Sequence, residues 1–535
     1  MRSAGDIPDE FPADAHWLRF SRAMPRLLSS LAVLGVVTPA VLALPVATPH
    51  AGSPHPVKPN VAHLGLTDVP MPATSTQGPG LRRAALGLGQ TTTKPFAMLG
   101  VTWAHDGSAA DVIARVRWRA HGAWSTWRSL AGDSDDAPDA GSPDAGPPLR
   151  DGTAPLWVGP ADGVQVSVTT EGGTTPRDVR VELIDPGTSS ADAVAGSVPR
   201  DTASAREDQP AILTRADWGA DESIRRGSPS YNDTVKVGFV HHTDTANDYT
   251  IDQTPAVIRS IYAYHVKSNG WSDIGYNYLV DRFGRTWEGR YGGITRAVVG
   301  AHTGGFNTDS FGTALIGTFT TSAPPAATLT SLEQLFAWKL GSYYRDPAAT
   351  ATLRSAGGGT SKYAAGTYHT FDVVSGHRDA GNTTCPGDAT YARMPAIRSA
   401  INTYLGTAFV DPSISATRVP VGSTAPVTVR ASSRNAPSWT LSITTPAGTA
   451  IRSWSGTATD PIAASWDLTD AGGAPVPVGA YVVSLTGSSA DGDSALPWMT
   501  TVVVGKPQVG KGAWLSPERF STRFSRKPAP APSPS

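Results

Sequence analysis

The residues of this sequence that could bind a catalytic metal ion lie in two short segments. "VGFVHHTDT" places His241 and His242 at the end of an apolar run, and "SGHRDAGNTTCPG" adds His377 and Cys385. In an extended strand, neighbouring side chains point to opposite faces, so we expect only one of the paired histidines to face a given site. Hydrolytic zinc sites usually take three ligands from histidine, cysteine and carboxylates, with a fourth position for water. These residue types therefore make the two segments candidates for a catalytic metal centre.

Cys385 is the only cysteine of the chain. Its thiol has no cysteine partner within the chain, so we expect it to be reactive or bound to another group. Its spacing from His377 is not that of a zinc finger, which needs two close pairs. The simpler alternative is that His377 caps a turn and that Cys385 is a small buried apolar residue. On these two segments alone, both interpretations stay open.

The N-terminal segment predicts export. Arg26 precedes an apolar run from Leu27 to Leu44, which is typical of a signal peptide over residues 1–44. An uncleaved membrane anchor is the alternative, although Pro39 favours cleavage. No later stretch is apolar enough to cross a bilayer, so we expect no membrane contact after cleavage. The net charge of -1 gives no long-range field that would favour nucleic acid.

At 535 residues the chain is too long for one hydrophobic core. Segments of two-residue alternation flank a region of mixed patterns, which predicts a multidomain protein: a central α/β domain, with a mixed sheet flanked by helices, between two all-β sandwich-like domains. A Gly- and Asp-rich loop over 132–148, "GDSDDAPDAGSPDAGPP", is predicted to be disordered. The predicted divisions after the signal peptide are 45–94 disordered linker, 95–186 N-terminal β domain, 187–210 linker, 211–405 central domain, 406–505 β-sandwich and 506–535 disordered tail.

Two helices are predicted in the central domain. "TPAVIRSIYAYHVKSNG" has Pro255 at a first helical position, apolar residues at helical spacing, and Gly270 as its end. "TLTSLEQLFAWKLGSYY" begins with a predicted capping box from Thr330 to Glu333. "YNYLVD" and "TALIGTF", which lie between them, are predicted as buried strands.

The order of six motifs across residues 211–405 resembles a known family. The motifs are "VHHT", "DIGYNYLV", "WEGR", "GAHTGGFN", "GHRD" and "TTCPG". Together they are similar to the peptidoglycan recognition protein family, which includes type 2 N-acetylmuramoyl-L-alanine amidases and amidase-type phage lysozymes. The resemblance implies a zinc-dependent amidase that cuts the amide between the lactyl group of muramic acid and the L-alanine of the peptidoglycan stem peptide. It implies a peptidoglycan (muropeptide) partner and a Zn²⁺ cofactor.

The resemblance also implies roles for single residues. The zinc ligands are His241, His377 and Cys385, and family members that only bind peptidoglycan lack the cysteine ligand. Tyr276 matches the catalytic tyrosine, whose hydroxyl can hold the water or donate to the oxyanion. Thr383 matches a position that carries lysine in the phage enzymes, so we assign it either a catalytic role or the capping of a turn.

The substrate groove is predicted to include His265, Trp271 and His302, because aromatic faces and neutral hydrogen-bonding groups suit saccharide and peptide ligands. Packing in the core is the alternative for each of them. Arg290 could pair with a stem-peptide carboxylate or lie at the surface. Glu288 could act as a general base, but we expect a structural role and leave it out of the catalytic set.

The flanking domains carry weaker resemblances. "WDLTDAGGAPVPVGAYVVSLTG" is similar to the immunoglobulin-like domain of flagellar hook-capping proteins. The N-terminal β domain resembles the extension that precedes secreted amidases of high-GC Gram-positive (actinobacterial) type, and its tryptophans could form a carbohydrate-binding face or the sandwich core. Two alternatives to a secreted cell-wall amidase remain: a non-catalytic peptidoglycan-binding protein, and a wall-anchored adhesin that uses both β domains.

Overall fold

The computed structural model describes residues 55–68, 85–105, 112–132, 136–139, 141–144, 149–170, 176–194, 209–358, 361–435, 438–457 and 462–505. The predicted signal peptide over 1–44 and the predicted tail over 506–535 lie outside these ranges. No helix within them is long and apolar enough to cross a membrane.

The N-terminal sheet consists of nine strands among the described residues, in the order β1-β9-β3-β8-β4-β5, with β2 and β7 paired to β3 and β6 paired to β4. The long strand β3 shifts register against β8 at several points, which lets one strand contribute to different parts of the sheet. The strands are β1 Asn60–Gly65, β2 Thr67–Asp68, β3 Ala85–Ala104, β4 Val112–Ala120, β5 Ala123–Trp124, β6 Arg128–Ala131, β7 Arg150–Gly152, β8 Leu156–Thr170 and β9 Arg180–Asp185.

The structure differs from the sequence-based prediction at both ends of this sheet and in one loop. Strands β1, β2 and the first half of β3 lie inside the predicted linker over 45–94, because their Gly- and Thr-rich residues hide the apolar alternation. A short helix, α1 (Ala191–Val194), lies inside the predicted linker over 187–210. In the loop predicted to be disordered, residues 136–139 and 141–144 pack against the central domain, and we call these residues the acidic loop.

The central domain has a mixed six-stranded sheet, in the order β10-β13-β12-β14-β11-β17, as counted over its described residues. Strand β11 runs parallel to both β14 and β17, whereas β12 and β13 are antiparallel. Strands β15 and β16 form a separate hairpin. The strands are β10 Ile212–Leu213, β11 Val237–His242, β12 Tyr278–Val280, β13 Thr286–Glu288, β14 Ser310–Leu315, β15 Thr350–Arg354, β16 Tyr368–Asp372 and β17 Val374–Gly376.

Helices cover both faces of this sheet, as predicted. Buried side chains of α2 pack with Leu279 and Ala314 on one face, and those of α3 and α6 pack with Tyr278 and Leu315 on the other. A π-helical turn (Tyr264–Ser268) extends α2. The helices are α2 Thr254–Ala263, α3 Ala326–Gly341, α4 His377–Ala380, α5 Asp388–Tyr391 and α6 Met394–Leu405.

The predicted start of one helix is confirmed and that of the other is wrong. Pro255 lies in the first turn of α2, and Gly270, with φ of 81°, follows the π-helical turn. Helix α3 begins at Ala326 after Pro325. Thr330 and Glu333 therefore lie inside α3 and form no capping box, since the preceding Ala and Thr residues extend the helix by a full turn.

The N-terminal sheet and the central domain share one hydrophobic core. Met98 and Trp157 of the sheet belong to the same buried cluster as Ile261 and Tyr264 of the central domain. The Tyr264 hydroxyl donates to the carbonyl of Thr153 at 2.8 Å. These contacts fix β6, β7 and the acidic loop beside the carboxyl edge of the central sheet.

The C-terminal domain has two sheets, β18-β20-β23 and β19-β25-β24-β21-β22. Buried residues of both sheets form one cluster, and Trp466 packs against Tyr481 with ring centroids 5.4 Å apart. The immunoglobulin-like resemblance stays a prediction. The strands are β18 Ala408–Ile414, β19 Arg418–Val419, β20 Val427–Arg434, β21 Ser438–Thr444, β22 Ala450–Thr457, β23 Ile462–Trp466, β24 Gly479–Ser488 and β25 Trp498–Val504.

Candidate metal centre and groove

Two neighbouring parallel strands bring His241 and His377 together. Strand β11 pairs with β17 so that Val240 faces Gly376. The next residue of each chain segment, His241 on β11 and His377 at the start of α4, therefore lies at the carboxyl edge of the sheet. The two imidazole rings have centroids 4.5 Å apart.

A tight turn after α4 returns the chain to this edge and delivers Cys385. The Cys385 amide donates to the Thr383 hydroxyl oxygen at 3.0 Å, and the Arg378 amide donates to the Cys385 carbonyl at 3.0 Å. The thiol Sγ lies 3.4 Å from the backbone nitrogen of His242 and 3.7 Å from Nδ1 of His241. The structure thus brings all three predicted metal ligands together.

The three donors fit a zinc ion. Their ligand atoms all lie within 4.8 Å of one another, and donors at about 2.0–2.3 Å from one tetrahedral zinc lie roughly 3.3–3.6 Å apart. Burial lowers the pKa of His377 to about 3, and burial together with nearby histidines lowers that of His241 well below its usual value. Both imidazoles are therefore neutral at pH 7, which is the form that binds metal. The buried Nδ1 of His377 makes no hydrogen bond to any described residue.

His302 lies behind His241, on the side away from the other two ligands. Its Nδ1 is 3.2 Å from Nε2 of His241, and the Thr303 hydroxyl is 3.3 Å from the same Nε2. The amides of His302 and Thr303 donate to Oδ1 of Asn307 at 2.7 and 3.1 Å. A metal on Nδ1 of His241 would leave the proton on Nε2, and His302 is placed to accept it. Substrate binding by His302 stays a prediction, and the structure adds this orienting contact.

His242, Thr383 and Glu288 hold the surrounding backbone. Nδ1 of His242 accepts a hydrogen bond from the Phe319 amide at 3.2 Å, and His242 is not among the three donors that lie within 4.8 Å of one another. The Thr383 hydroxyl caps the turn that carries the cysteine. Glu288 accepts from the Arg215 amide at 3.2 Å, which agrees with its predicted structural role.

His265 and Trp271 form one wall beside Tyr276. Their rings are 4.4 Å apart at 32°, and the His265 ring lies 5.7 Å from that of Tyr276. Nδ1 of His265 accepts from the Gly275 amide at 3.1 Å, and burial lowers the pKa of His265 to about 3. Both side chains are almost fully buried, so in this structure they support the groove from within.

The sequence-based reasoning missed Asp136 of the acidic loop. The Tyr276 hydroxyl donates to Oδ2 of Asp136 at 2.6 Å. The other carboxylate oxygen, Oδ1, lies 3.5 Å from Nδ1 of His241 and 3.5 Å from Nδ1 of His377. No motif or spacing in the sequence connects this aspartate, more than 100 residues upstream, to the metal ligands.

Two more aspartates of the acidic loop contact the central domain. Asp139 accepts from Nδ2 of Asn307 at 2.7 Å. Asp144 accepts from the Ser272 hydroxyl at 2.7 Å and pairs with the Arg290 guanidinium at 3.0 Å. Arg290 is buried, and besides Asp144 its guanidinium donates to the Ile274 carbonyl and the Ser272 hydroxyl at 3.1 Å each.

Comparisons with known proteins find two family matches in this chain. A family described as N-acetylmuramoyl-L-alanine amidase matches residues 231–388, and one described as Rv3811 N-terminal galactose-binding domain-like matches residues 58–197. The chain is 34% identical over 188 residues to N-acetylmuramoyl-L-alanine amidase of Homo sapiens, covering 34% of this chain and 27% of that protein. Drosophila PGRP-LB is a similar solved structure, with 26% identity, a TM-score of 0.28, and coverage of 35% of this chain and 93% of that one.

A second relative is matched over most of its own length. The chain is 30% identical to Peptidoglycan recognition protein 1 of Bos taurus over 188 residues, which are 35% of this chain and 84% of that protein. The chain spans only about a quarter of the human relative (27%), so that relative's other segments have no counterpart in the match. The match to the bovine protein shows that the chain belongs to the peptidoglycan recognition protein family.

Proposed function

We propose that this chain is a secreted, zinc-dependent N-acetylmuramoyl-L-alanine amidase that hydrolyses the amide between muramic acid and the L-alanine of the stem peptide. The observation that carries the proposal is the set of buried donors from His241, His377 and Cys385, with the Tyr276 hydroxyl at the same site. Members of the family that bind peptidoglycan without cutting it lack the cysteine ligand, so the presence of Cys385 favours catalysis.

When bound, zinc at such a site lowers the pKa of a water towards ~7 and polarises a carbonyl. The protein holds the two imidazoles neutral by burying them. The His242 amide points at the Cys385 sulfur and stabilises it as a thiolate. Tyr276 aims its hydroxyl at the acceptor beside the histidines, so it is placed to donate to the substrate oxygen on which charge develops.

The rest of the proposal concerns where the enzyme acts. The family's solved complexes include proteins bound to tracheal cytotoxin, which is described as monomeric diaminopimelic acid-type peptidoglycan. We propose peptidoglycan as the substrate here, with the His265–Trp271 wall and the Arg290 guanidinium beside it. We further propose export through the N-terminal signal, and retention in the cell wall by the two flanking β domains.

The test is the release of stem peptides from purified peptidoglycan by the full chain, with products identified by mass. We expect intact stem peptides and stripped glycan strands with zinc, and neither product after chelation or in His377→Gln. The matched control is His63→Gln, which replaces an exposed histidine on β1 and should leave release unchanged. Binding to peptidoglycan without release under every metal condition, in the wild type and in Asp136→Ala alike, would support the recognition-only alternative instead.

A further inference from the structure

The acidic loop enters the metal centre. Oδ1 of Asp136 is 3.5 Å from Nδ1 of both histidine ligands, and carboxylate oxygens bind zinc at about 2.0–2.2 Å, so such donors around one ion lie roughly 3.3–3.5 Å apart. The Asp136 side chain is only 10% exposed. Its second oxygen holds the Tyr276 hydroxyl, the group that the proposed reaction needs.

The acidic loop also contacts the central domain through two further carboxylates. Asp139 accepts a hydrogen bond from the Asn307 side-chain amide. Asp144 accepts a hydrogen bond from the Ser272 hydroxyl and forms an ion pair with the Arg290 guanidinium. Buried carboxylates are rare in proteins unless they are paired. Three of them, each paired to a different part of the central domain, indicate a built interface rather than a loop lying on a surface.

The shared hydrophobic core keeps the acidic loop in place. The loop connects β6 and β7, and the Arg150 amide at the start of β7 donates to the Asn269 carbonyl at 3.0 Å. A Cβ atom on Gly100 or Gly152 would fall 2.6–2.7 Å from the Tyr264 side chain, so the N-terminal sheet approaches this residue closely. A group tethered by short connections competes at an effective concentration of the order of millimolar.

We propose that Asp136 is a fourth ligand of the metal centre, supplied by the N-terminal domain, and that the acidic loop occupies the muropeptide groove and holds the enzyme latent until it is displaced. The inference rests on the proposed function. A substrate carbonyl and a stem-peptide carboxylate would need the same two partners, Tyr276 and Arg290, that Asp136 and Asp144 take. Substrate therefore binds only to the fraction of molecules in which the loop is displaced.

The first test examines the metal directly in the full chain. Co²⁺ replaces zinc, and the visible d–d bands are compared between the wild type, Asp136→Asn, Asp136→Ala and the control Asp162→Ala. Asp162 pairs with Arg119 on the N-terminal sheet, away from the metal ligands. We expect both Asp136 variants to shift the bands because a carboxylate ligand is lost, and the control to match the wild type.

The second test examines the groove in the metal-free chain, where nothing is cleaved. A soluble muramyl tripeptide is titrated calorimetrically into the wild type, the double variant Asp136→Ala/Asp144→Ala and Asp162→Ala. We expect at least about tenfold tighter tripeptide binding in the double variant alone. In the wild type, each of the charge-assisted contacts that this variant removes stabilises the closed loop by a factor of about ten or more. An unchanged cobalt spectrum in the Asp136 variants, or an unchanged tripeptide affinity in the double variant, overturns the proposal.

Peptide release separates this inference from the proposed function. With zinc, we expect Asp136→Ala to release stem peptides faster than the wild type. If no variant releases peptides while the spectrum and the affinity change as expected, the amidase function fails and the loop assignment stands. If Asp136→Ala releases peptides more slowly than Asp162→Ala, Asp136 serves the reaction and latency is overturned.

Discussion

The contact between His302 and His241 allows a quantitative prediction about metal affinity. His302→Leu removes the acceptor that lies 3.2 Å from Nε2 of His241. Loss of a hydrogen-bonding partner of a metal-bound histidine typically weakens metal binding about 10–100-fold. Because the Thr303 hydroxyl stays 3.3 Å from the same nitrogen, we expect a loss nearer tenfold, or ~1.4 kcal/mol.

The assay is a competition between the full chain and a zinc chelator of known affinity, read by the chelator's absorbance. His302→Asn is the rescue variant, because its side-chain amide can supply a polar atom near the former Nδ1, and we expect most of the affinity to return. His265→Leu is the matched control, since His265 contacts Trp271 and Gly275 but neither ligand histidine.

The result that would refute this reasoning is a zinc affinity in His302→Leu equal to that of the wild type. If muropeptide affinity then fell instead, the sequence-based assignment of His302 to substrate binding would be supported over the orienting role. If His265→Leu lost as much zinc affinity as His302→Leu, the effect would come from disturbed packing and not from the hydrogen bond.

Three further predictions concern catalysis, pH dependence and domain docking. Tyr276→Phe should lower kcat about 10²–10³-fold; full activity would exclude its hydroxyl from the reaction. Burial lowers the pKa of Lys339 to about 7, whereas an unfolded lysine titrates near ~10.4, so between these pH values the unfolded state binds more protons. As pH rises through this range, the free energy of unfolding of the wild type should increase by ~1.4 kcal/mol per pH unit relative to that of Lys339→Met. Urea unfolding at several pH values tests this, and an equal pH dependence in the two proteins would contradict it. Arg259→Met removes a buried guanidinium that donates to Asp192 at 2.7 and 2.8 Å. Because the carboxylate loses its ionic partner, docking of the N-terminal sheet should weaken by ~3–5 kcal/mol. Amide hydrogen exchange at residues 186–192 should then become faster, and an unaltered exchange rate would contradict the prediction.

The position of His241 at the edge of the sheet was predictable because it lies at the end of a regular strand. An apolar run that ends in two histidines favours a buried strand end, and alternation assigns the rings to opposite faces. His377 and Cys385 follow from the family's motifs. The helix at Pro255 was equally accessible, since proline, apolar spacing and a terminal glycine all indicate the same boundaries.

The missed features depend on contacts between distant segments. Glycines and threonines hide the apolar alternation at the start of β3, and neighbouring strands stabilise both β1 and this segment. The acidic loop has a composition typical of disorder, and its carboxylates are ordered by partners on the central domain. The orienting position of His302 depends on how closely β11 and β14 approach, which no local pattern encodes.

The shared core of the N-terminal sheet and the central domain has a consequence for how this architecture can be divided or recombined. Met98, Trp157 and Ile184 would become solvent-exposed if the sheet were cut away, together with the faces of Ile261 and Tyr264 that they cover. The two segments match separate families in sequence, yet one buried apolar cluster contains residues of both, beside clusters that belong to each segment alone. The central domain alone would expose an apolar surface that favours aggregation. A fusion of this domain to a different N-terminal domain would fold only if that domain supplied a complementary apolar surface.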